Sequence, residues 1–189
     1  MSRDPQERIL ELLHERIMVT PYDERWPAMY AEEEMFLQSA LPADLVIRIA
    51  HIGSTAITGC SAKPIIDIQV EVNSLDRVKN EVVGLMEGHG YEFIWRPSIG
   101  EHAPFYAWFI RRDAEGVRTH HIHMVEPDAA SEDRILFRDH LRRHPVEVLR
   151  YEKLKHALSE TYPSDRESYT KGKSDFILSI VKHVRSQRS

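Results

Sequence analysis

Three stretches of the chain combine residue types that can do chemistry. The first is PIIDIQVEV, residues 64–72. Side chains on a strand alternate faces, so Ile66, Ile68, Val70 and Val72 point one way while Asp67, Gln69 and Glu71 point the other. A polar row on so apolar a strand is either the wet face of an antiparallel sheet or the floor of a site. The preceding turn, GSTAITGCSAKP (53–64), sharpens the second reading. Gly53 permits a tight bend or a close backbone approach, and Ser54 and Thr55 offer hydroxyls beside backbone amides. Such loops cradle phosphate groups, and Lys63 adds a point charge for the same anion. The spacing is not that of a P-loop, and no GxSxG elbow is present to support a serine hydrolase built on Ser54.

The second stretch is THHIHMVE, residues 119–126. His121 and His123 share one strand face, and His120 takes the other with Ile122 and Met124. Two imidazoles at i and i+2 can chelate one metal ion, or one can act as a base while the other orients a phosphate. A pair of surface histidines on an ordinary sheet is the plain alternative. Should this strand lie beside residues 64–72, then Asp67, Glu71, His121 and His123 converge on one patch. That donor set suits Mg²⁺, Mn²⁺ or Zn²⁺, with the imidazoles tilting it away from a pure Mg²⁺ site.

The third stretch is basic. FRDHLRRHP places Arg138 and Arg142 four apart, YEKLKHAL carries Lys153 and Lys155, and YTKGKSDFI carries Tyr169, Lys171 and Lys173. Arg138, Lys155 and Lys173 are candidates to frame a phosphate-bearing substrate, with Tyr151 or Tyr169 stacking on a base. A solvated helix face is the ordinary role for such charges. Cys60 reads as structural, because nothing in the sequence supplies a base beside it.

These groups need a scaffold. Residues 5–16 show helical periodicity, and a second helix is predicted from Asp23 as cap to about Ser39, with Trp26, Met29, Tyr30 and Phe36 inward and Glu32, Glu33 and Glu34 solvated. The runs LVIRIAHI, PIIDIQVEV, YEFIW, APFYAWFIRR and GVRTHHIHMVE read as five strands, the last two joined by a hairpin at Asp113–Gly116. A helix capped by Ser74 and stopped near Gly88 or Gly90 lies between the second and third strands. From Ser131 the pattern is helical, broken at Pro145 and Pro163. The expected fold is α+β: a mixed sheet of about five strands with flanking helices, in a single domain over 1–189. Residues 1–17 form a helical extension in this reading, and 131–186 a helical layer on the core.

Bulk properties bound the function. The 189 residues are 42% hydrophobic and 29% charged, with a net charge of −5 that argues against broad nucleic-acid binding. One cysteine excludes an intramolecular disulfide. The charged N-terminal segment lacks a signal-peptide core and no run approaches the ~18 apolar residues of a membrane span, so a cytoplasmic protein is expected.

Taken in order, HIGSTAITGCSAKPIIDIQVEV, HHIHMVE, LFRDHLRRHP, YEKLK and YTKGKSDFI, with VTPYDERWPAMYAEEE near the start, resemble the GrpB family over roughly residues 18–182. The resemblance implies a nucleotidyltransferase-like fold, a nucleotide or other phosphorylated small molecule as ligand, and a divalent metal. It matches Gly53 and Ser54 to the superfamily's Gly-Ser turn and Asp67 to its first acid. The second acid falls on Gln69, and His121 or His123 stands in the place of the third. Glu71, two residues past Gln69 on the same face, is the possible substitute. Three readings stay open: a metal-dependent nucleotidyltransferase, a single-metal hydrolase or phosphotransferase, and a non-catalytic nucleotide-binding module.

Overall fold

A computed structural model describes residues 16–97 and 105–188. The helix expected at residues 5–16 lies, apart from Arg16, outside these. Contacts divide the chain into two units, one formed by Asp23–Ala56 with Ile65–Ile135, the other by Met1–Tyr22, Ile57–Pro64 and Leu136–Ser189.

The first, a sheet unit, contains helix α1 (Trp26–Ala40), strand β1 (Val46–Ile52), a 3-10 turn (Ser54–Ala56) and strand β2 (Ile66–Val72). A helical stretch, α2, follows, with α-helical Leu75–Arg77 and Val83–Gly88 flanking a π-helical turn at Val78–Val82. Ser74 caps it by accepting a hydrogen bond from the Arg77 amide. Strands β3 (Glu92–Pro97), β4 (Phe105–Arg112) and β5 (Arg118–Val125) complete the sheet. The strand order is β1-β2-β5-β4-β3, parallel between β2 and β5 and antiparallel elsewhere. This is the expected mixed α+β fold. The β4–β5 hairpin turns where Asp113 and Gly116 predict it, with Gly116 at φ 80°.

One face of the sheet is apolar: Ile66, Ile68 and Val70 on β2, with Ile122 and Met124 on β5, are wholly buried. The α1 residue Leu37 and the α2 residues Val78, Val82 and Met86 are buried as well. The reading of α1 needs two corrections. The N-cap is Arg25, without a side-chain cap bond, and Asp23 lies two residues before it, its carboxylate accepting from the Arg25 amide. Glu33 is buried rather than solvated, because its carboxylate accepts hydrogen bonds from the Tyr91 hydroxyl and from Arg111 Nη1. A buried carboxylate survives only with such partners, and neither lies near it in sequence.

His120 occupies the same side, buried, near Glu33, Arg111, Glu32 and the Met29 carbonyl, and burial holds its pKa below the ordinary 6.5. As pH falls through about 6.5 the unfolded chain takes up a proton that the folded chain refuses, so folding free energy drops with acidification. Urea midpoints are therefore expected to be lower at pH 5.5 than at pH 7.5. His120→Gln should shrink that difference, and an unchanged pH dependence in the variant would refute the assignment.

The second unit holds most of the later helices. Helix α3 (Ala129–Arg143) begins in the sheet unit and ends in this one, and α4 (Pro145–Thr161), α5 (Arg166–Lys171) and α6 (Ser174–Ser186) follow. Pro145 opens α4, where its missing N–H costs nothing. The core of this unit joins Ile57 and Cys60 to Phe137, Leu141, Tyr151 and Val181. No helix among the described residues is long and apolar enough to cross a membrane.

Candidate metal centre

The parallel register of β2 and β5 pairs Asp67 with His121 and Gln69 with His123. Both histidines therefore share the sheet face of Asp67. His121 Nδ1 lies 3.1 Å from Asp67 Oδ1, and His123 Nε2 lies 3.5 Å from the same oxygen. One donor atom from each of the three residues falls within 4.8 Å of the others. A tetrahedral ion bound at about 2.0–2.1 Å sets its ligands roughly 3.3–3.4 Å apart, and the two distances to Asp67 Oδ1 lie on either side of that figure. The donors fit a divalent metal. Among the described residues this is the one cluster of its kind.

Its surroundings hold the donors in place. The Trp108 ring, projecting from β4, meets His121 edge-on at 4.9 Å and lies nearly parallel to His123 at 6.3 Å, and Tyr106 lies 5.5 Å from His123. The His121 side chain is 8% exposed, against 31% for Asp67, so the carboxylate is the part of the cluster most open to solvent. Burial raises the Asp67 pKa, but hydrogen bonds and charge from His121 and His123 outweigh it and hold the carboxyl well below the ordinary range.

The Gly-Ser turn lies directly against this carboxylate. Gly53 has φ 70°, and a Cβ there would sit 2.8 Å from Asp67 Oδ2. Glycine is required twice over, by the left-handed conformation and by the close approach. Ser54 opens the 3-10 turn half-buried. The Thr55 hydroxyl is buried, donates to the Ile65 carbonyl at 3.3 Å and lies 3.0 Å from His51 Nε2, so its bonds serve the loop itself.

Glu71 is not part of the cluster. Its Oε1 is taken by Arg48 Nη2 at 2.6 Å and by Gln69 Nε2 at 3.1 Å. Asp67 and Glu71 are four residues apart on one strand, and about 13 Å of rise separates them. The basic candidates Lys63, Arg138, Lys155 and Lys173 belong to the helical unit. Within it Arg138 pairs with Asp139 at 2.6 Å, and the ammonium groups of Lys63 and Lys173 lie 5.7 and 4.5 Å from the centre of the Tyr169 ring. Lys155 is a core residue: it is 1% exposed, donates to the Ser61 carbonyl and to Cys60 Sγ, and burial lowers its pKa.

Sequence reading missed Arg134, whose Nη1 donates to Gln69 Oε1 at 3.0 Å. Arg134 stands in the run SEDRILFRDH among other charges, and only the docking of α3 on β2 distinguishes it.

A mixed five-stranded sheet bearing an aspartate and two histidines on its central parallel pair defines an α+β protein with a candidate metal-binding face. The family described as GrpB protein matches residues 16–183, and the chain belongs to it. Among curated relatives it is similar to the glutamate-rich protein GrpB of Alkalihalophilus pseudofirmus, 36% identical over 90% of this chain and 96% of that one. A UPF0157 protein of Pseudomonas aeruginosa is 39% identical over 88% of this chain and 67% of its own length. For UPF0157 protein YqkA of Bacillus subtilis the match spans about half of the relative, 48%. The crystal structure of conserved protein GrpB from Enterococcus faecalis superposes with a TM-score of 0.74 at 30% identity, over 90% of this chain and 99% of that one.

Proposed function

We propose that this chain is a nucleotidyltransferase-like protein that binds a nucleotide or other phosphorylated small molecule, using one divalent metal ion held by Asp67, His121 and His123. The observation that carries the reading is the convergence of those three donors beside the Gly53–Ser54 turn. Two imidazoles with one carboxylate favour Zn²⁺ or Mn²⁺ over Mg²⁺. When bound, such an ion supplies positive charge to a phosphate oxygen.

Asp67 would supply the anionic ligand, already ionised at neutral pH. His121 would be fixed in orientation by burial and by Trp108, and His123 would stand between the aromatic wall and the opening. The Gly53 turn would lie beside the ion, where its backbone amides could face a phosphate group. With Gln69 and Glu71 bonded elsewhere, one ion is favoured over the two-ion array of a standard nucleotidyltransferase. Single-metal hydrolysis or phosphoryl transfer is therefore the chemistry we assign, in the cytoplasm where nucleotides are abundant. Incubation with each nucleoside triphosphate and Mn²⁺ or Zn²⁺ tests it: orthophosphate and the nucleoside diphosphate are expected. Release of pyrophosphate would favour the two-ion transferase, and no turnover together with no metal uptake would overturn the proposal.

A further inference from the structure

The position where the superfamily pattern expects a second acid holds Gln69, and its bonding accounts for the exchange. The side chain is buried at 1% exposure. Its Nε2 donates to the Ser131 carbonyl and to Glu71 Oε1, both at 3.1 Å, and its Oε1 accepts from Arg134 Nη1 at 3.0 Å. Those partners fix which way the amide points. Rotating it by half a turn would set its NH₂ group against a guanidinium and its oxygen against a carboxylate and a carbonyl, losing all three bonds.

The charges of this network do not cancel. Glu71 is neutralised by Arg48, its ion-pair partner at 2.6 Å. Among the described residues, the partner of Arg134 is the neutral amide of Gln69 and not a carboxylate. A Glu or Asp at position 69 would hold the same arginine but spend its charge. A glutamine holds it and leaves the positive charge available. Arg134 is half-buried, and α3 is anchored locally by the exchange of hydrogen bonds between Asp128 and Ser131. Gln69 is directly opposite His123 in the sheet register, one strand spacing (about 4.8 Å) away, on the metal-binding face.

Resting on the metal-dependent reading above, we infer that Arg134 is an anion subsite beside the metal cluster, binding a phosphate group of the substrate, and that Gln69 is its positioning residue. A guanidinium suits this task because its planar fork of donors matches phosphate oxygens while one arm stays anchored.

The test uses the full chain in two titrations, first with Mn²⁺ alone, then of the Mn²⁺-loaded protein with inorganic phosphate and with pyrophosphate. Arg134→Ala is expected to leave Mn²⁺ affinity unchanged and to weaken anion binding at least about tenfold. Arg134→Lys should recover part of the loss. Gln69→Glu should reproduce it, with thermal melts confirming that the variants are folded. A wild-type chain that takes up no Mn²⁺ overturns the metal-dependent reading itself. Mn²⁺ uptake with anion binding absent in the wild type, or equal in Arg134→Ala and the wild type, overturns the subsite alone. A folded Gln69→Glu variant that binds anions as tightly as the wild type overturns the positioning role of Gln69.

Discussion

Asp67→Ala is expected to lower the affinity for Mn²⁺ or Zn²⁺ by at least roughly 100-fold, because losing a ligand exceeds the 10–100-fold cost typical of losing an outer partner. Three protein donors form the cluster, and Asp67 is the only anionic one and the one both histidines approach. Without it, two neutral imidazoles remain, a set poor for Mn²⁺ and one protein ligand short of a catalytic Zn²⁺ site. Asp67→Asn keeps the shape and one oxygen but not the charge, so it should fall between wild type and alanine. Isothermal calorimetry or Mn²⁺ relaxation reads the effect directly. Equal metal affinity in wild type and Asp67→Ala would sink the metal centre.

The second large effect is expected at Lys155, and on stability rather than on binding. Its aliphatic stem is buried in the helical unit, and its ammonium donates to the Ser61 carbonyl while lying 4.7 Å from the centre of the Tyr151 ring. Lys155→Ala leaves a cavity in the helical unit, an expected loss of about 2–4 kcal/mol. Lys155→Met fills the space without the cost of a buried charge and should recover most of that loss. Denaturant unfolding monitored by circular dichroism separates the two. Were Lys155 a phosphate ligand instead, both variants would weaken anion binding and neither would lower the unfolding midpoint appreciably.

These two residues mark where sequence reasoning succeeds and where it stops. The alternation of PIIDIQVEV and of THHIHMVE is local, so the shared face of Asp67 with Gln69, and of His121 with His123, could be read from the strand period alone. The five strands, the Asp113–Gly116 hairpin and the Ser74 cap rest on similarly short-range signals. The burial of Glu33 and Lys155 was not legible. A charged residue in a helix has the same local pattern whether water or a buried partner receives it, and here the partners come from 58 and 94 residues away.

Glu71 and Gln69 make the same point at the site itself. By type, Glu71 is the better metal ligand and Gln69 the weaker one. The antiparallel pairing of β1 with β2 brings Arg48 to Glu71, and α3 brings Arg134 to Gln69, so the acid is consumed and the amide becomes a holder of charge. The sequence by itself determined the strands, the face that Asp67 shares with Gln69, the face that His121 shares with His123, and the glycine turn before β2, because backbone periodicity and glycine's conformational freedom act over a few residues. Only the tertiary structure decided that β2 and β5 are parallel neighbours in the register that joins one carboxylate to two imidazoles. Strand order and helix docking depend on burial summed over the whole sheet, which no short stretch of residues encodes.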